Sequence, residues 1–411
     1  MPTPGRALND NRLTGRPRPL TIPRILSAPR DALHLPSGQE IMKITKVEPI
    51  ILRLPHVTEA VDGTQDDLLI RIETDEGIFG WGEVDSSPEV ARAIVEAPTS
   101  HGIAHGLRQV LLGRDPFDIE QLWRDMYRAT IYYGREAVVI HAMSGVDVAL
   151  RDVLGKATGK PVHKLLGGSY RSKACAYASV LLPETAAEAE RMARDYVSKG
   201  FTAVKFGWGP LGRDEGLDVE SIAAARSGAG CARLMIDIGQ QYTVKQAIRV
   251  AKRVEKHKLY WMEEPLPPDD FDGYRRLAGE VSVNIAAGEA ESSRRAFRRL
   301  IQDCCIDIVQ PDISRAGGLT ETRKIGTFAD DANVRLVPHA FKTGILLAAC
   351  LHLIAALPNT ELIEFSLADS PIRRDLLTEP FQVVGGHVEV PEKPGLGIEV
   401  NPEVVAKYRV A

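Results

Sequence analysis

Cysteine is scarce and unpatterned in this chain. Its five residues (Cys175, Cys231, Cys304, Cys305, Cys350) are odd in number and show no CxxC spacing. This excludes a disulfide framework or a cysteine-ligated zinc site and fits a reducing cytoplasm. Long apolar runs are missing too: the stretch Ile345–Leu357 is too short to span a bilayer and reads as a buried helix. No charge of one sign dominates, and a net charge of −4 offers nucleic acid or an acidic membrane no basic surface. Residues 1–41 lack the roughly 7–15-residue apolar core of a secretory signal. With seven prolines and six arginines they read as a disordered leader or the product of an upstream start, because Met42 opens a regular strand. A transit peptide is the alternative. What remains is an ordinary globular composition, 44% hydrophobic and 26% charged, long enough for two domains, one of them a barrel of roughly 250 residues.

What the sequence has is a rhythm. Asp237, Glu263, Glu289, Asp312 and His339 follow one another at gaps of 26, 26, 23 and 27 residues, and 25 more lead to Glu364. Each closes a short apolar run that reads as a strand: LMID, YWME, NIAAGE, IDIVQPD, RLVPH and LIE. About 25 residues is one strand, one helix and two loops, so the pattern samples one strand end per β/α unit. In a parallel barrel those ends converge on one face, where active sites are built.

Two further runs, Ala174–Ser179 and Thr202–Phe206, bring the strands to eight, which predicts a (β/α) barrel over residues 171–380. Ahead of it, residues 42–170 predict an α+β domain. It comprises strands Lys43–Leu54, Asp67–Thr74 and Ile78–Val84 with a turn at Asp75–Gly77, then helices including Ala142–Lys156. Residues 381–411 return to short strands and proline–glycine turns and are expected to pack back on that first domain.

Three carboxylates on adjacent strand ends, Asp237, Glu263 and Glu289, repel one another unless a divalent cation sits between them. All-oxygen ligation selects Mg²⁺ or Mn²⁺ over zinc. Any one of these acids alone would be a helix cap or an ion-pair partner; three in series point to a metal. His339 alone would be a satisfied core histidine. One unit earlier, however, stands Asp312, and a carboxylate on one imidazole nitrogen fixes the tautomer and raises basicity at the other.

Asp237, Glu263-Glu264-Pro265, Gly288-Glu289 and PDISRAGG (Pro311–Gly318) resemble the enolase superfamily. A histidine ending the seventh strand resembles its mandelate racemase subgroup. GIFGWGE (Gly77–Glu83), SGVDVALRDVLGKATGKPV (Ser144–Val162) and KLLGG (Lys164–Gly168) are similar to that family's capping domain. The resemblance runs from Met42 to the C-terminus and implies a modified TIM barrel with an N-terminal α+β cap. It further implies one Mg²⁺ per subunit on Asp237, Glu263 and Glu289, with Glu264 behind them. His339 becomes the general base or acid and Asp312 its orienting partner. Lys205 binds and polarises the substrate carboxylate, and Glu364 hydrogen-bonds it. A small carboxylate substrate and a homo-oligomer are expected.

Two positions depart from the family's pattern. The subgroup commonly carries Lys-x-Lys on the second strand, where this chain has Lys205-Phe206-Gly207; Asp237-Ile238-Gly239 replaces the frequent Asp-x-Asn. Racemisation needs a base on each face, and Gly207 stands where one of them would be. Dehydration of an α,β-dihydroxy acid can use a single histidine, which ranks an acid-sugar dehydratase above a racemase or epimerase. Lys205 acting as base would weaken that ranking. Muconate cycloisomerase-type chemistry is discounted because Asp312 stands in the region of that group's sixth-strand lysine, and a catalytically silent barrel is the non-enzymatic alternative. For substrate contacts the candidates are His56, Thr58 and Glu59, then Asp85, Ser86 and Ser87, then Tyr132, Tyr133 and Arg135, with Trp208 as a wall. Together they are polar, as a polyhydroxylated acid would require.

Overall fold

The computed structural model describes residues 41–58 and 63–410; the leader up to residue 40 and the candidate Glu59 lie outside the described residues. The chain first forms an antiparallel meander, β1 (Ile44–Arg53), β2 (Asp66–Thr74) and β3 (Phe79–Val84). Glycine makes its seat on the next layer. A Cβ on Gly82 would stand 1.9 Å from the Gly145 carbonyl, so only glycine lets β3 lie this close to the helix Val138–Thr158. That helix is buried almost all round, with Ala142, Val146, Ala149 and Leu150 against the sheet and Gly159 in left-handed conformation at its end.

Eight parallel strands follow: β4 (Lys173–Leu181), β5 (Ala203–Gly207), β6 (Arg233–Asp237), β7 (Trp261–Glu263), β8 (Asn284–Ala287), β9 (Ile308–Val309), β10 (Arg335–Leu336) and β11 (Leu362–Ser366). They pair in chain order, and β11 returns to β4, with Glu364 beside Tyr177. Between β10 and the approach to β11, Leu336 N–H donates to the Asn359 carbonyl at 3.1 Å. A twelfth strand, β12 (His387–Glu389), adds antiparallel to β4. The C-terminal helix Pro402–Tyr408 lies against β1, where Val410 N–H donates to the Ile51 carbonyl at 2.9 Å. Among the described residues no helix is long and apolar enough to cross a membrane.

Strand periodicity positions the site. Side chains alternate across the wall, so Ala174, Ala176, Ala178 and Val180 of β4 pack outward under the helices. Inside, one residue per strand makes an apolar plug: Tyr177, Ala203, Met235, Trp261, Ala286, Ile308, Val337 and Leu362. Two residues further along each strand lies the next inward layer. It reads Ser179, Lys205, Asp237, Glu263, Gly288, Gln310, His339 and Glu364. Lys205, Asp237, Glu263, His339 and Glu364 thus lie in the layer directly above the plug, and Glu289 and Asp312 follow it by one and two residues.

Asp237 and Glu263 close their strands as expected, but four residues do not: β8 stops at Ala287 and β10 at Leu336, short of Glu289 and His339, and the other two are Glu364 and Asp312. Glu364 does not close its strand, which continues to Ser366. On β9 the ladder stops at Val309, and Asp312 reaches the site through an isolated parallel bridge to His339. Glycine explains the fifth strand: Gly288, with φ 132°, turns the chain so that Glu289 rather than its neighbour points inward.

Candidate active site

Asp237, Glu263 and Glu289 each offer an oxygen within 4.8 Å of the other two, and all three are buried. Burial, then the Glu263 charge, pushes the Asp237 carboxyl well above its usual range, and burial likewise raises Glu263. Glu289 Oε2 is buried without a hydrogen-bond partner. Such an orphaned acceptor beside two crowded carboxylates fits a divalent cation, which restores the lost partner and relieves the repulsion. Glu264 is differently employed. Its Oε1 accepts the Gly288 N–H at 3.0 Å and its Oε2 the Gln240 amide at 2.6 Å, so it shapes the loops around Glu289. Burial, then the Glu289 charge, raises it to about 7.

Lys205 crosses the floor of this cluster. Its Nζ lies 2.6 Å from Glu263 Oε1, 2.8 Å from Glu364 Oε1 and 3.8 Å from Asp237 Oδ2. Burial opposes its charge, but Glu263 and Glu364 outweigh burial and hold the amine protonated well above its usual range. Glu364 is held in turn: Ser179 Oγ donates to Oε1 at 2.7 Å and Ala340 N–H to Oε2 at 2.8 Å. Burial is outweighed there by Lys205 and His339, which lower the carboxyl to about 2. In this arrangement Glu364 is an acceptor already in use. It stands 2.8 Å from Lys205 Nζ.

His339 Nδ1 donates to Asp312 Oδ2 at 2.6 Å, which leaves Nε2 facing Glu289 Oε2 at 3.5 Å. Asp312 is fixed from behind by the Ser314 N–H and hydroxyl on Oδ1. Burial alone would lower the imidazole; Glu289, Glu364 and Asp312 together raise it to about 10. A cation sharing Glu289 would withdraw the largest of these supports and lower the imidazole from that value.

Above the acids opens a cavity of about 220 Å³, lined by Ser179, Lys205, Asp237, Glu289 and His339 below and by Val180, Leu181, Trp208, Phe341, Asp85 and Arg315 around the mouth. This is small beside the ~300–1,000 Å³ of sites for drug-sized ligands. Hollows of about 690 and 490 Å³ flank β1 and the C-terminal helix, but contain none of the acids of the barrel layer. Of the residues expected at the pocket, Trp208 and Asp85 line it. His56, Thr58, Tyr132, Tyr133 and Arg135 are exposed and do not. Thr58 bonds to Gln65, and the Tyr133 hydroxyl donates to the His105 carbonyl at 2.6 Å. Ser86 meets His141, and Ser87 stands at the N-cap position of the helix Pro88–Glu96 without a side-chain capping bond. The expected polar rim is therefore half apolar.

Sequence reasoning missed three contributors. Arg315 pairs with Asp85 of the cap and lies 3.8 Å from Glu289 and 4.0 Å from Asp312; it was in view within PDISRAGG. Ser179 was legible from the two-residue period of β4. Lys342, buried at 3% exposure between the Asp66 carbonyl (2.9 Å) and Asp85 (3.5 Å), had no local signal.

Residues 41–167 match the family model "Mandelate racemase / muconate lactonizing enzyme, N-terminal domain", and residues 185–404 match "Enolase C-terminal domain-like". The chain is 35% identical to the D-galactarolactone cycloisomerase of Agrobacterium fabrum, over 90% of this chain and 99% of that protein. It is also 35% identical to the arabinonate dehydratase of Saccharolobus solfataricus, over 82% and 89%. Among solved structures, the 3,6-anhydro-D-galactonate cycloisomerase of Zobellia galactanivorans superposes with a TM-score of 0.81 at 35% identity, covering 90% of this chain and 100% of that one. Matched along both halves, with its acids and His339 gathered at one end of the barrel, the chain belongs to the mandelate racemase subgroup of the enolase superfamily.

Proposed function

We propose that this protein is a Mg²⁺-dependent acid-sugar dehydratase that converts a 2,3-dihydroxy carboxylate into a 2-keto-3-deoxy acid and water. Asp237, Glu263 and Glu289 hold the cation. When bound, it supplies the positive charge that offsets the charge developing on the substrate carboxylate. Lys205, kept protonated by Glu263 and Glu364, draws that carboxylate into place. His339 Nε2 takes the C2 proton while Asp312 holds the ring by Nδ1. The same nitrogen then returns the proton to the C3 hydroxyl, which leaves as water; the resulting enol ketonises by taking a proton at C3. The observation that carries this reading is the one-sidedness of the site, with a single imidazole dyad on β10 and Gly207 on the second strand of the barrel.

A second reading uses the same groups. If the departing oxygen belongs to a ring, the product is an isomer and no water leaves; the two cycloisomerases among the relatives favour it. A panel of mono- and diacid sugars and their ring-closed forms, incubated with Mg²⁺, separates the two. Dehydration lowers the mass by one water and gives a keto acid that reacts with semicarbazide. His339→Asn is expected to lose at least ~10²–10⁴-fold in turnover while Mg²⁺ binding measured by calorimetry persists. Deuterium entering C2 in D₂O with no loss of water and no new keto acid would falsify the dehydratase and restore the racemase.

A further inference from the structure

The chain's two departures from the family's motif pattern meet in space. Gly207 pairs with Asp237 across the β5–β6 ladder, and a Cβ there would stand 2.9 Å from Asp237 Oδ2. Two residues past Asp237, Gly239 has a φ of 59°, and a Cβ on it would stand 2.7, 2.9 and 3.0 Å from Cδ2, Cε3 and Cε2 of Trp208. Three nearly equal distances put the face of the indole, rather than its edge, against the glycine. The asparagine frequent at this position has no room beside such a ring. Trp208 itself has a φ of 54°, a rare conformation for a bulky side chain, fixed by its N–H on the Asp237 carbonyl at 3.0 Å. Gly207, Trp208 and Gly239 therefore pack around Asp237 as one unit.

This unit presents an aromatic wall to the cavity that holds His339. Trp208 follows β5 and His339 follows β10, strands separated on the short way round by β4 and β11. Beside the indole the cavity is bounded by the end of β4 at Val180 and Leu181, with Phe341 further round. Indole faces are electron-rich and offer no hydrogen-bond acceptor of the kind a hydroxyl needs, whereas polarised C–H bonds pack well against them.

We propose that Trp208, seated on Gly239, is a specificity-determining wall that takes the place of a second base. It packs the side of the bound acid turned away from His339, so the site selects hydroxy-carboxylates with C–H bonds on that side and confines proton transfer to His339. This rests on the acid-sugar reading above.

The test uses the full-length protein with Mg²⁺ and a panel of five- and six-carbon sugar acids. Tryptophan emission of the wild type is expected to change on titration with at least one of them, and Trp208→Phe to remove that change. For the acid turned over fastest, Trp208→Ala is expected to raise KM at least tenfold and Trp208→Phe by less. Gly239→Ala is expected to raise KM in the wild type but by under twofold in the Trp208→Ala background, because the seat matters only through the ring. An emission change with no turnover sinks the dehydratase and leaves the wall standing. The wall is overturned if no acid alters the emission, if KM in Trp208→Ala stays within twofold of wild type, or if Gly239→Ala acts equally in both backgrounds.

Discussion

Replacing Lys205 with methionine keeps the stem that fills the barrel and removes only the ammonium. In the native protein that ammonium lies 2.6 and 2.8 Å from Glu263 and Glu364, with both acids fully buried. At an effective dielectric of about 20, each such contact is worth about 6 kcal/mol before desolvation. Stripping one partner from a buried ion cluster costs roughly 3–5 kcal/mol, because the carboxylates stay behind unpaired. For a chain of this length that corresponds to a fall of ~4–6 °C in the thermal midpoint. The same substitution takes a positive charge away from two of the three proposed metal acids, so affinity for Mg²⁺ should rise while stability falls. Calorimetric scans of both proteins in EDTA and in saturating Mg²⁺ separate these effects. The variant should unfold several degrees below wild type in EDTA and recover most of the gap with Mg²⁺, since an ion bound only by the native state stabilises it. Turnover should be lost in both conditions. A gap of the same size with and without Mg²⁺, or none in EDTA, would refute the electrostatic account of this cluster.

Other perturbations test the scaffold. Glu83 of the cap accepts the N–H groups of Thr343 (3.0 Å) and Leu346 (2.8 Å) at the start of the helix Gly344–Ala356, directly after the loop that carries His339. Glu83→Ala should cost about 2–3 kcal/mol in urea unfolding and lower kcat; a cost under about 0.5 kcal/mol would show that the cap does not hold this helix. His352 is buried 3.2 Å from His163, with Nε2 on the Leu396 carbonyl, and burial with the neighbouring His163 lowers it to about 3. Its native value lies below its unfolded value, so its contribution is complete above pH ~6.5 and is lost as pH falls toward 3. Between pH 6.5 and 4 the wild type should lose about 3 kcal/mol more than His352→Gln, and parallel urea curves for the two proteins would count against it.

Much of the site was legible because its signals are local. A strand's two-residue period places Lys205, Asp237, Glu263 and Glu364 inward above the plug, and the β/α repeat makes consecutive ends neighbours. The polar rim was misjudged for the same reason. His56, Tyr133 and Arg135 have suitable chemistry, but no local pattern says whether a loop turns its side chains toward the barrel or toward water. Trp208 is the exception, one residue past β5 and carried by that strand.

The sequence by itself determined the eight-strand barrel, the cap's meander, the three acids in series, the Asp312–His339 dyad and the absence of a second-strand base. The first four follow from spacing within one or two adjacent units, and the last from the resemblance to the subgroup's second-strand pattern. Only the tertiary structure decided that Glu364 serves Lys205 together with Ser179, that Arg315 bridges the barrel layer to Asp85, and that Trp208 lies on Gly239. Those partners come together when the barrel closes β11 onto β4, when the cap seats on the mouth, and when neighbouring loops pack. A charge or a ring chooses its neighbour by distance in space, and no spacing along the chain encodes a contact between residues 185 or 230 positions apart.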